Sequence, residues 1–558
     1  MDSIRFRCLE MHSSQLWSWQ AIKRTLAFMQ KYKLNILVLH QNDLLDELSM
    51  PQSEFSDSDM VWKRWPVRRS KTFANAIYMR QVVSLARSCG IDVYLEVKEI
   101  WYPDAIIELH PELRSAEGTI CPTNSFWFSF LGAKVREVLD TIPDIAGLIV
   151  SPATRESRIS ISTRTCQCAR CRSTTDESWY RSYIGAILPL LNQRHKKLVV
   201  RDFSYDAQQQ TALVSAAASL SNNIVIALKN VPQDFWPTFP DNPVISQPLP
   251  LEKWIEFDLW GQYCGIGLFP CSLVEDFQKR LHHALENGAC GVIVRTDWEI
   301  CRDATIFNSM NLLNLIGAAM LCDNPAIDLE CIYQAWAAEG LLSPLHADSE
   351  NLPPTVPQNP QAWKQLMTFM RTSWIIIEKA LFMKGFVFQL SSKIQPSVDE
   401  ILYTMTRHHS KCKWDGHNGD LQITSPDSVR ELLQEKAEAL ALVGQLDSIL
   451  SPDTLGVPPA FAAELHTLLK LYQLYVRQFE LAAKVVCFSQ LSPEANALQQ
   501  LIQARLNLIR LADDIDRELS QTHYAYYVYW LLDASVLRSL ADSVEADPAV
   551  KKEWRNRL

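Results

Sequence analysis

The stretch 224–230 reads IVIALKN, in which five apolar residues come directly before Lys229 and Asn230. An unbroken β-branched and aliphatic run of this length is typical of a strand that is buried on both faces. The same arrangement recurs along the first 340 residues, where short apolar runs end in polar residues and are followed by amphipathic stretches. This alternation predicts repeated βα units around a parallel sheet.

Eight apolar runs of this kind can be recognised. We predict strands at residues 6–9, 34–39, 92–95, 148–150, 198–200, 224–228, 254–257 and 292–294. Eight parallel strands suit a closed (β/α)8 TIM barrel. The alternative is a doubly wound open sheet, but no glycine-rich phosphate loop follows the first strand and only 17 of the 558 residues are glycine. We therefore predict a barrel over residues 1–340.

The sequence changes character after the predicted barrel. Four prolines among polar residues, Pro353, Pro354, Pro357 and Pro360, predict a linker over residues 341–362. Helical periodicity then predicts an all-helical C-terminal domain over residues 363–558. These helices could pack on the barrel or form the interface of a homodimer.

Charge and hydropathy exclude some classes of protein. The net charge is −9, from 63 acidic and 54 basic residues that form no long run, so the chain lacks the basic stripe of a nucleic-acid binder. No apolar segment is long enough to span a membrane, and the N-terminus lacks the order of a secretory signal. We expect a cytoplasmic protein without nucleic-acid or membrane partners, whose 14 cysteines are thiols or metal ligands.

Charged and aromatic residues collect at the C-terminal ends of the predicted strands, where TIM barrels build their active sites. Glycoside hydrolysis needs two carboxyl groups, one to protonate the leaving oxygen and one to activate water or attack the sugar. The candidate carboxylates are Glu10, Glu96, Glu99, Glu156, Asp202, Asp234, Glu256, Asp258 and Asp297. The accompanying cations are Lys98, Arg155, Arg158, Arg201 and Lys229, and the aromatic residues are Trp101, Tyr102, Trp260, Tyr263 and Trp298. The alternative interpretation is that these charges balance one another and that the rings only pack.

Three cysteines lie close together after the fourth strand. Cys166, Cys168 and Cys171 have the short spacing of zinc ligands, and zinc takes four ligands in structural sites. The fourth ligand could be Cys121, Cys264, Cys271 or a histidine. The alternative is a set of reduced thiols without a metal.

Four segments together resemble glycoside hydrolase family 67, the α-glucuronidases. They are GLIVSPATRES at 147–157, LVVRDFSYD at 198–206, ALKNVPQDF at 227–235 and EFDLWGQYCG at 256–265. The resemblance implies that Glu156 is the general acid, that Arg201 lies against the sugar, and that Asp234 is one of two water-activating carboxylates. Gln262 occupies the place of the second carboxylate, and an amide cannot accept a proton as a base.

The resemblance implies an inverting, exo-acting α-glucuronidase-like enzyme for small acidic oligosaccharides, with no cofactor in catalysis. The residues expected to bind substrate are Glu96, Lys98, Arg155, Arg201, Lys229, Asn230, Gln262, Tyr263, Asp297 and Trp298. The opening segment RCLEMH at 7–12 also resembles family 20, which implies an N-acetylhexosaminidase as an alternative. That family places an aspartate before its acid, whereas Arg155 stands there in this chain. A non-catalytic sugar-binding protein is the third hypothesis, because of Gln262.

Overall fold

The computed structural model describes residues 4–55, 63–98, 100–115, 117–301, 305–346, 353–406, 421, 423, 425–450, 452–491 and 495–545. Glu99, one of the predicted strand-end carboxylates, lies outside the described residues.

Eight parallel strands form a closed barrel in sequence order. They are β1 Phe6–Met11, β2 Ile36–His40, β3 Asp92–Lys98, β4 Gly147–Ser151, β5 Lys197–Arg201, β6 Val225–Lys229, β7 Glu252–Asp258 and β8 Ala289–Arg295. The barrel closes between β1 and β8, where Phe6 lies opposite Gly291 and Glu10 lies opposite Arg295. The predicted barrel is confirmed, and each predicted strand overlaps an observed one.

Large rings fill the barrel interior and require glycine on neighbouring strands. The ring of Trp254 is fully buried between Phe6 and Tyr94. A Cβ atom at Gly291 would lie 2.4 Å from this indole, and one at Gly147 would lie 2.5 Å from the ring of Tyr94. Both distances are far below van der Waals contact, so only glycine at these two positions leaves room for the aromatic layer. This layer fills the barrel near the N-terminal ends of its strands.

Helices surround the barrel and follow most of its strands. They are α1 Trp19–Lys31, α2 Leu44–Leu48, α3 Pro66–Ser88, α4 Asp104–Leu109, α5 Ser125–Thr141, α6 Ala169–Ser173, α7 Asp176–Gln193, α8 Ala207–Leu220, α9 Val274–Glu286, α10 Leu312–Asp323 and α11 Leu329–Glu339. Polar side chains cap several of them, as Ser18 does for α1 by accepting from the backbone of Ala21. Residues 230–251 connect β6 to β7 through turns and irregular backbone.

A helical region follows the barrel, as predicted. Its helices are α12 Ala362–Leu381, α13 Val398–Thr406, α14 Pro426–Ile449, α15 Pro452–Leu455, α16 Pro459–Gln490, α17 Ala495–Leu519, α18 Tyr526–Leu531 and α19 Ala534–Glu545. A short antiparallel pair, β9 Phe382–Met383 and β10 Phe386–Val387, interrupts them. None of the described helices is both long and apolar enough to cross a membrane.

The C-terminal helices pack on the barrel, which is one of the two arrangements that the sequence left open. Tyr472 of α16 donates to the carbonyl of Pro270 at 3.1 Å, and the hydroxyl of Ser392 donates to the carbonyl of Gln262 at 2.8 Å. Every residue from 253 to 274 is buried. The loop after β7 is therefore enclosed between the barrel and the helical region. The exact domain limits stay predictions.

Candidate functional site

The C-terminal ends of the strands open into a cavity of about 460 Å³. Residues of the barrel and of the helical region line it together. They are His12, Lys98, Glu156, Arg201, Phe203, Tyr205, Asp234, Gln262, Tyr263, Arg295, Trp298 and Glu299 from the barrel, and Leu390, Ser391, Lys393, Gln395 and Trp530 from the helical region.

Glu156 reaches the cavity from the loop after β4. Its carboxylate contacts the ammonium of Lys98, which ends β3 and is almost fully buried. The same ammonium lies 3.6 Å from the carboxylate of Glu299. The hydroxyl of Tyr183 donates to the carbonyl of Lys98 at 3.1 Å, and this bond holds the end of β3 in place. Lys98 therefore lies between two carboxylates that both face the cavity.

Asp234 reaches the cavity from the loop after β6. Its Oδ1 atom lies 3.2 Å from the ammonium of Lys229. Burial lowers the pKa of Lys229, whose ammonium also lies 3.8 Å from the centre of the Phe203 ring. Asp234 and Phe235 have φ angles of 54° and 107°. A φ of 107° is strained for a bulky residue such as Phe235, and strain of this kind concentrates at functional sites.

Arg201 forms the charged floor of the cavity. Its guanidinium donates from Nε to Glu256 at 2.7 Å and lies 3.0 Å from Glu96. Burial tends to lower the pKa of Arg201, but the nearby carboxylates outweigh it and raise that pKa well above its usual value. Burial also raises the pKa of Glu96 well above its usual value. The positive charge of Arg201 is thus balanced by Glu256 and Glu96, which lie beside it at the bottom of the cavity.

Two stacked histidines lie beside this floor. The rings of His12 and His40 are 3.6 Å apart, and Nδ1 of His40 lies 2.7 Å from Glu10. Burial lowers the pKa of both histidines well below the usual value, so both are neutral at pH 7. Asp297 accepts from the backbone N–H of His12 at 2.5 Å, and burial raises the pKa of this carboxyl to about 6.

Gln262 has both ends of its amide engaged. Its oxygen accepts from Arg295 at 3.5 Å and its nitrogen donates to the hydroxyl of Ser391 at 3.2 Å. Its backbone N–H donates to Asp258 at 2.6 Å. The amide therefore orients Arg295 and connects the barrel to the helical region.

The structure brings most of the predicted site residues together. Those that line the cavity are Lys98, Glu156, Arg201, Asp234, Gln262, Tyr263 and Trp298. Glu96, Lys229 and Asp297 lie behind this lining and contact it. Arg155 is exposed and lies over the ring of Tyr205 at 4.5 Å, and Asn230 borders a separate small cavity of about 20 Å³. The roles assigned to these residues stay predictions.

Several lining residues were not singled out from the sequence. Glu299 follows Trp298 directly, so its place after β8 was a usable signal. Arg295 directly follows the eighth predicted strand, at 292–294, but was not among the candidate residues. Lys393 and Trp530 come from the helical region, and no local pattern connects them with the strand ends.

The structure brings a fourth cysteine to the three that follow β4. The ligand atoms of Cys121, Cys166, Cys168 and Cys171 all lie within 4.8 Å of one another. Among the residues that the sequence offered as the fourth ligand, Cys121 is the one that joins this cluster.

Comparisons with known proteins bear on the fold. No family model matches the sequence, and no curated protein matches it either. Among solved structures, the chain is similar to a GH138 enzyme targeting pectin rhamnogalacturonan II, with a TM-score of 0.62 and 12% identity over 100% of this chain and 84% of that one.

Two further structures are similar over most of this chain. A mutant of the Thermobaculum terrenum O-GlcNAc hydrolase has a TM-score of 0.44 and 11% identity, over 99% of this chain and 97% of that one. The Flavobacterium johnsoniae chitobiase has a TM-score of 0.41 and 12% identity, over 96% and 78%. At such identities the likeness to the GH138 enzyme shows a shared fold, and the resemblance to family 67 stays a prediction.

Proposed function

We propose that this protein is a glycoside hydrolase that removes a terminal sugar from small oligosaccharides. The observation that carries the proposal is that Glu156 and Asp234 come from two different strand ends and line one cavity. One carboxyl group can then protonate the leaving oxygen while the other activates water. We assign the acid role to Glu156 and the base role to Asp234. This pair needs no cofactor.

Each of the two carboxyl groups has a cation beside it, Lys98 beside Glu156 and Lys229 beside Asp234. Lys229 lies 3.2 Å from Asp234, and a neighbouring ammonium favours the ionised form that a base requires. Glu156 has to carry a proton when it acts as the acid. Lys98 would then keep a partner, because Glu299 lies 3.6 Å from the same ammonium.

The finer proposal is that the terminal sugar is a uronic acid. Arg201 is matched by Glu256 and Glu96, whereas Arg295 donates to the neutral groups of Gln262 and His12, and its Nε atom lies 3.9 Å from Glu10. A sugar carboxylate entering the cavity would gain most from Arg295. The α-glucuronide linkage and inversion of configuration rest on the resemblance to family 67.

The rings that line the cavity suit a sugar ligand. Tyr263, Trp298 and Trp530 border the space into which Glu156 and Asp234 face. Aromatic faces of this kind bury the C–H surfaces of a sugar while its hydroxyls bind polar groups.

A non-catalytic sugar-binding protein is the second candidate. The observation in its favour is Gln262, an amide where the resembling family has its second water-activating glutamate. Arg295 and Ser391 engage both ends of that amide, so it is built into the site as an amide.

The test is a panel of nitrophenyl glycosides that contains glucuronides, galacturonides, N-acetylhexosaminides and neutral sugars. We expect turnover of a uronide, and a loss of about 10²- to 10⁴-fold in Glu156→Gln and Asp234→Asn. Glu299→Gln should lose much less, and the exposed Glu112→Gln should match the wild type. Turnover of N-acetylhexosaminides alone would overturn the uronide proposal. Tight binding of glucuronic acid without turnover of any glycoside would support the second candidate.

A further inference from the structure

The four cysteines near β4 come from two separate loops. Cys121 lies between β3 and α5, whereas Cys166, Cys168 and Cys171 lie between β4 and α7. The Sγ atoms of Cys121 and Cys171 are 3.4 Å apart, and those of Cys121 and Cys168 are 3.7 Å apart. In a tetrahedral site with zinc–sulfur bonds of about 2.3 Å, the sulfur atoms lie about 3.8 Å from one another. These two distances are therefore close to those of a zinc site, and all four sulfur atoms lie within 4.8 Å of one another.

The backbone around the thiols is held by bonds that do not involve the sulfur atoms. The indole N–H of Trp127 donates to the carbonyl of Cys121 at 3.1 Å. The indole of Trp179 donates to the carbonyl of Pro122 at 2.9 Å. Arg170 donates to the carbonyl of Thr123 at 3.1 Å. The two loops are thus fixed against each other, and their sulfur atoms are brought together in advance.

The surroundings offer the sulfur atoms a hydrogen-bond donor and nearby positive charge. The backbone N–H of Cys171 donates to Sγ of Cys168 at 3.4 Å, which is the kind of contact that orients a metal-binding sulfur. Four thiolates around one zinc ion carry a net charge of −2. Arg170 and Arg172 flank Cys171 and place positive charge beside the cluster.

We propose that Cys121, Cys166, Cys168 and Cys171 bind one structural zinc ion that ties the loop after β3 to the loop after β4. The same two strands end at Lys98 and lead to Glu156, whose charged groups contact each other at the cavity. The metal thus braces the loop that carries Glu156. Four cysteine ligands complete the tetrahedron and leave no open position for catalysis.

The competing arrangement is a pair of disulfides. The four cysteines are all unbonded in the structure, and their sulfur atoms are separated by far more than a disulfide bond of about 2.05 Å. Disulfides would need the thiols to be oxidised. Counts of bound zinc and of free thiols therefore distinguish the two arrangements.

The test is the zinc content and the thiol count of the full chain, purified under reducing conditions and then dialysed against zinc-free buffer. We expect about one zinc per chain in the wild type and in Cys331→Ser, an exposed cysteine outside the cluster that serves as the control. Cys168→Ser changes the exposed member of the cluster and should lose most of the zinc and lower the melting temperature. Cobalt loaded into apo-protein should give the intense bands of a tetrahedral tetrathiolate.

Several results would overturn the proposal. One is a wild-type chain that binds no zinc when reduced. Another is Cys168→Ser retaining zinc at the wild-type level. A third is a denatured, unreduced sample from which four thiols are missing and no zinc is released. None of these measurements uses glycoside turnover, so the failure of this proposal would be distinct from the failure of the proposed function.

Discussion

At the scale of single residues, the cations of the site differ in how completely their charges are matched. Arg201 is held by two buried carboxylates, whereas Arg295 donates mainly to the neutral groups of Gln262 and His12. A charge already paired in a buried network gains little from a ligand, and removing it leaves its partners unpaired. Arg201 therefore stabilises the fold as well as the site. Replacing Arg295 is the better way to test whether the substrate carries a negative charge.

If the uronide proposal is right, Arg295→Gln should lower the turnover of acidic sugars in particular. A lost charge-assisted hydrogen bond costs about 1.5–3 kcal/mol, so we expect kcat/KM for a uronide to fall by about tenfold to 100-fold. The matching neutral glycoside should change much less. Steady-state kinetics on the two substrates measure this difference, with Arg430→Gln on the exposed surface of α14 as the control. Equal losses on both substrates would argue against recognition of a carboxylate by Arg295.

The residues of the site were only partly predictable from the sequence. Glu156 and Asp234 were two of nine candidate carboxylates near the ends of the predicted strands, and only the resemblance to family 67 singled them out. Arg155 also follows a strand, but the direction of a side chain in a loop cannot be predicted from its position. It lies over the ring of Tyr205 and is not itself among the residues that line the cavity. Trp530 could not be found in this way, because tertiary packing alone brings α18 to the barrel mouth.

At the scale of elements, the strands extend further toward the site than their apolar runs. β3 continues to Lys98 and β8 to Arg295, beyond the predicted ends at residues 95 and 294. Apolar periodicity stops at the first charged residue, but Lys98 and Arg295 are buried, and their charged groups lie 3.6 Å from Glu299 and 3.9 Å from Glu10, respectively. The predicted strands were therefore right in number and order. Their predicted C-terminal ends left out residues that form the site, such as Lys98 and Arg295.

One buried lysine closes the end of a helix in the C-terminal region. Lys436 of α14 donates to the carbonyl of Lys379 at 2.5 Å and to that of Phe382, where α12 ends. Its side chain is fully buried, and burial lowers its pKa to about 8. In the sequence it lies in a polar stretch that reads as an exposed face, so this contact could not be predicted.

Changing Lys436→Met should destabilise the chain, because the two carbonyls lose their donor at a cost of about 1–3 kcal/mol each. The effect should depend on pH. The native lysine deprotonates near pH 8, whereas the unfolded one keeps its proton up to about pH 10.5, so the unfolded state binds more protons in that window and wild-type stability rises there. The difference between wild type and variant should therefore widen as the pH rises from 8.

Urea midpoints measured across this pH range check the prediction, with the surface change Lys364→Met as the control. A difference that narrows or stays constant above pH 8 would show that the ammonium of Lys436 is not penalised by burial.

At the scale of the whole molecule, the barrel and the helical region share one site and one buried loop. Ser392 accepts from the backbone N–H of Gly265 at 2.8 Å and donates to the carbonyl of Gln262 at 2.8 Å. Gln389 donates to the carbonyl of Tyr263 at 3.1 Å. The loop after β7 thus depends on the C-terminal region for its hydrogen bonds, which implies that the two parts lose their structure together.

We expect a single unfolding transition in urea. Loss of helical circular dichroism and loss of activity should coincide, because neither part keeps the site without the other. Ser392→Ala removes two buried bonds and should lower the stability by about 2–4 kcal/mol while keeping both probes coincident. The exposed Ser53→Ala should leave the midpoint unchanged. Activity lost well before the helical signal would mean that the barrel and the helical region unfold separately.

The central claim, that Glu156 protonates a leaving oxygen, is tested most directly by comparing Glu156→Gln on two glycosides of the same sugar. One carries a leaving group that needs no proton, such as dinitrophenolate, and the other a poor leaving group, such as a sugar alcohol. An acid that donates a proton contributes about 10²- to 10⁴-fold, and only where the leaving group needs it. We predict a loss of this size on the poor leaving group and a much smaller loss on the good one. Equal losses on both would contradict the acid role of Glu156.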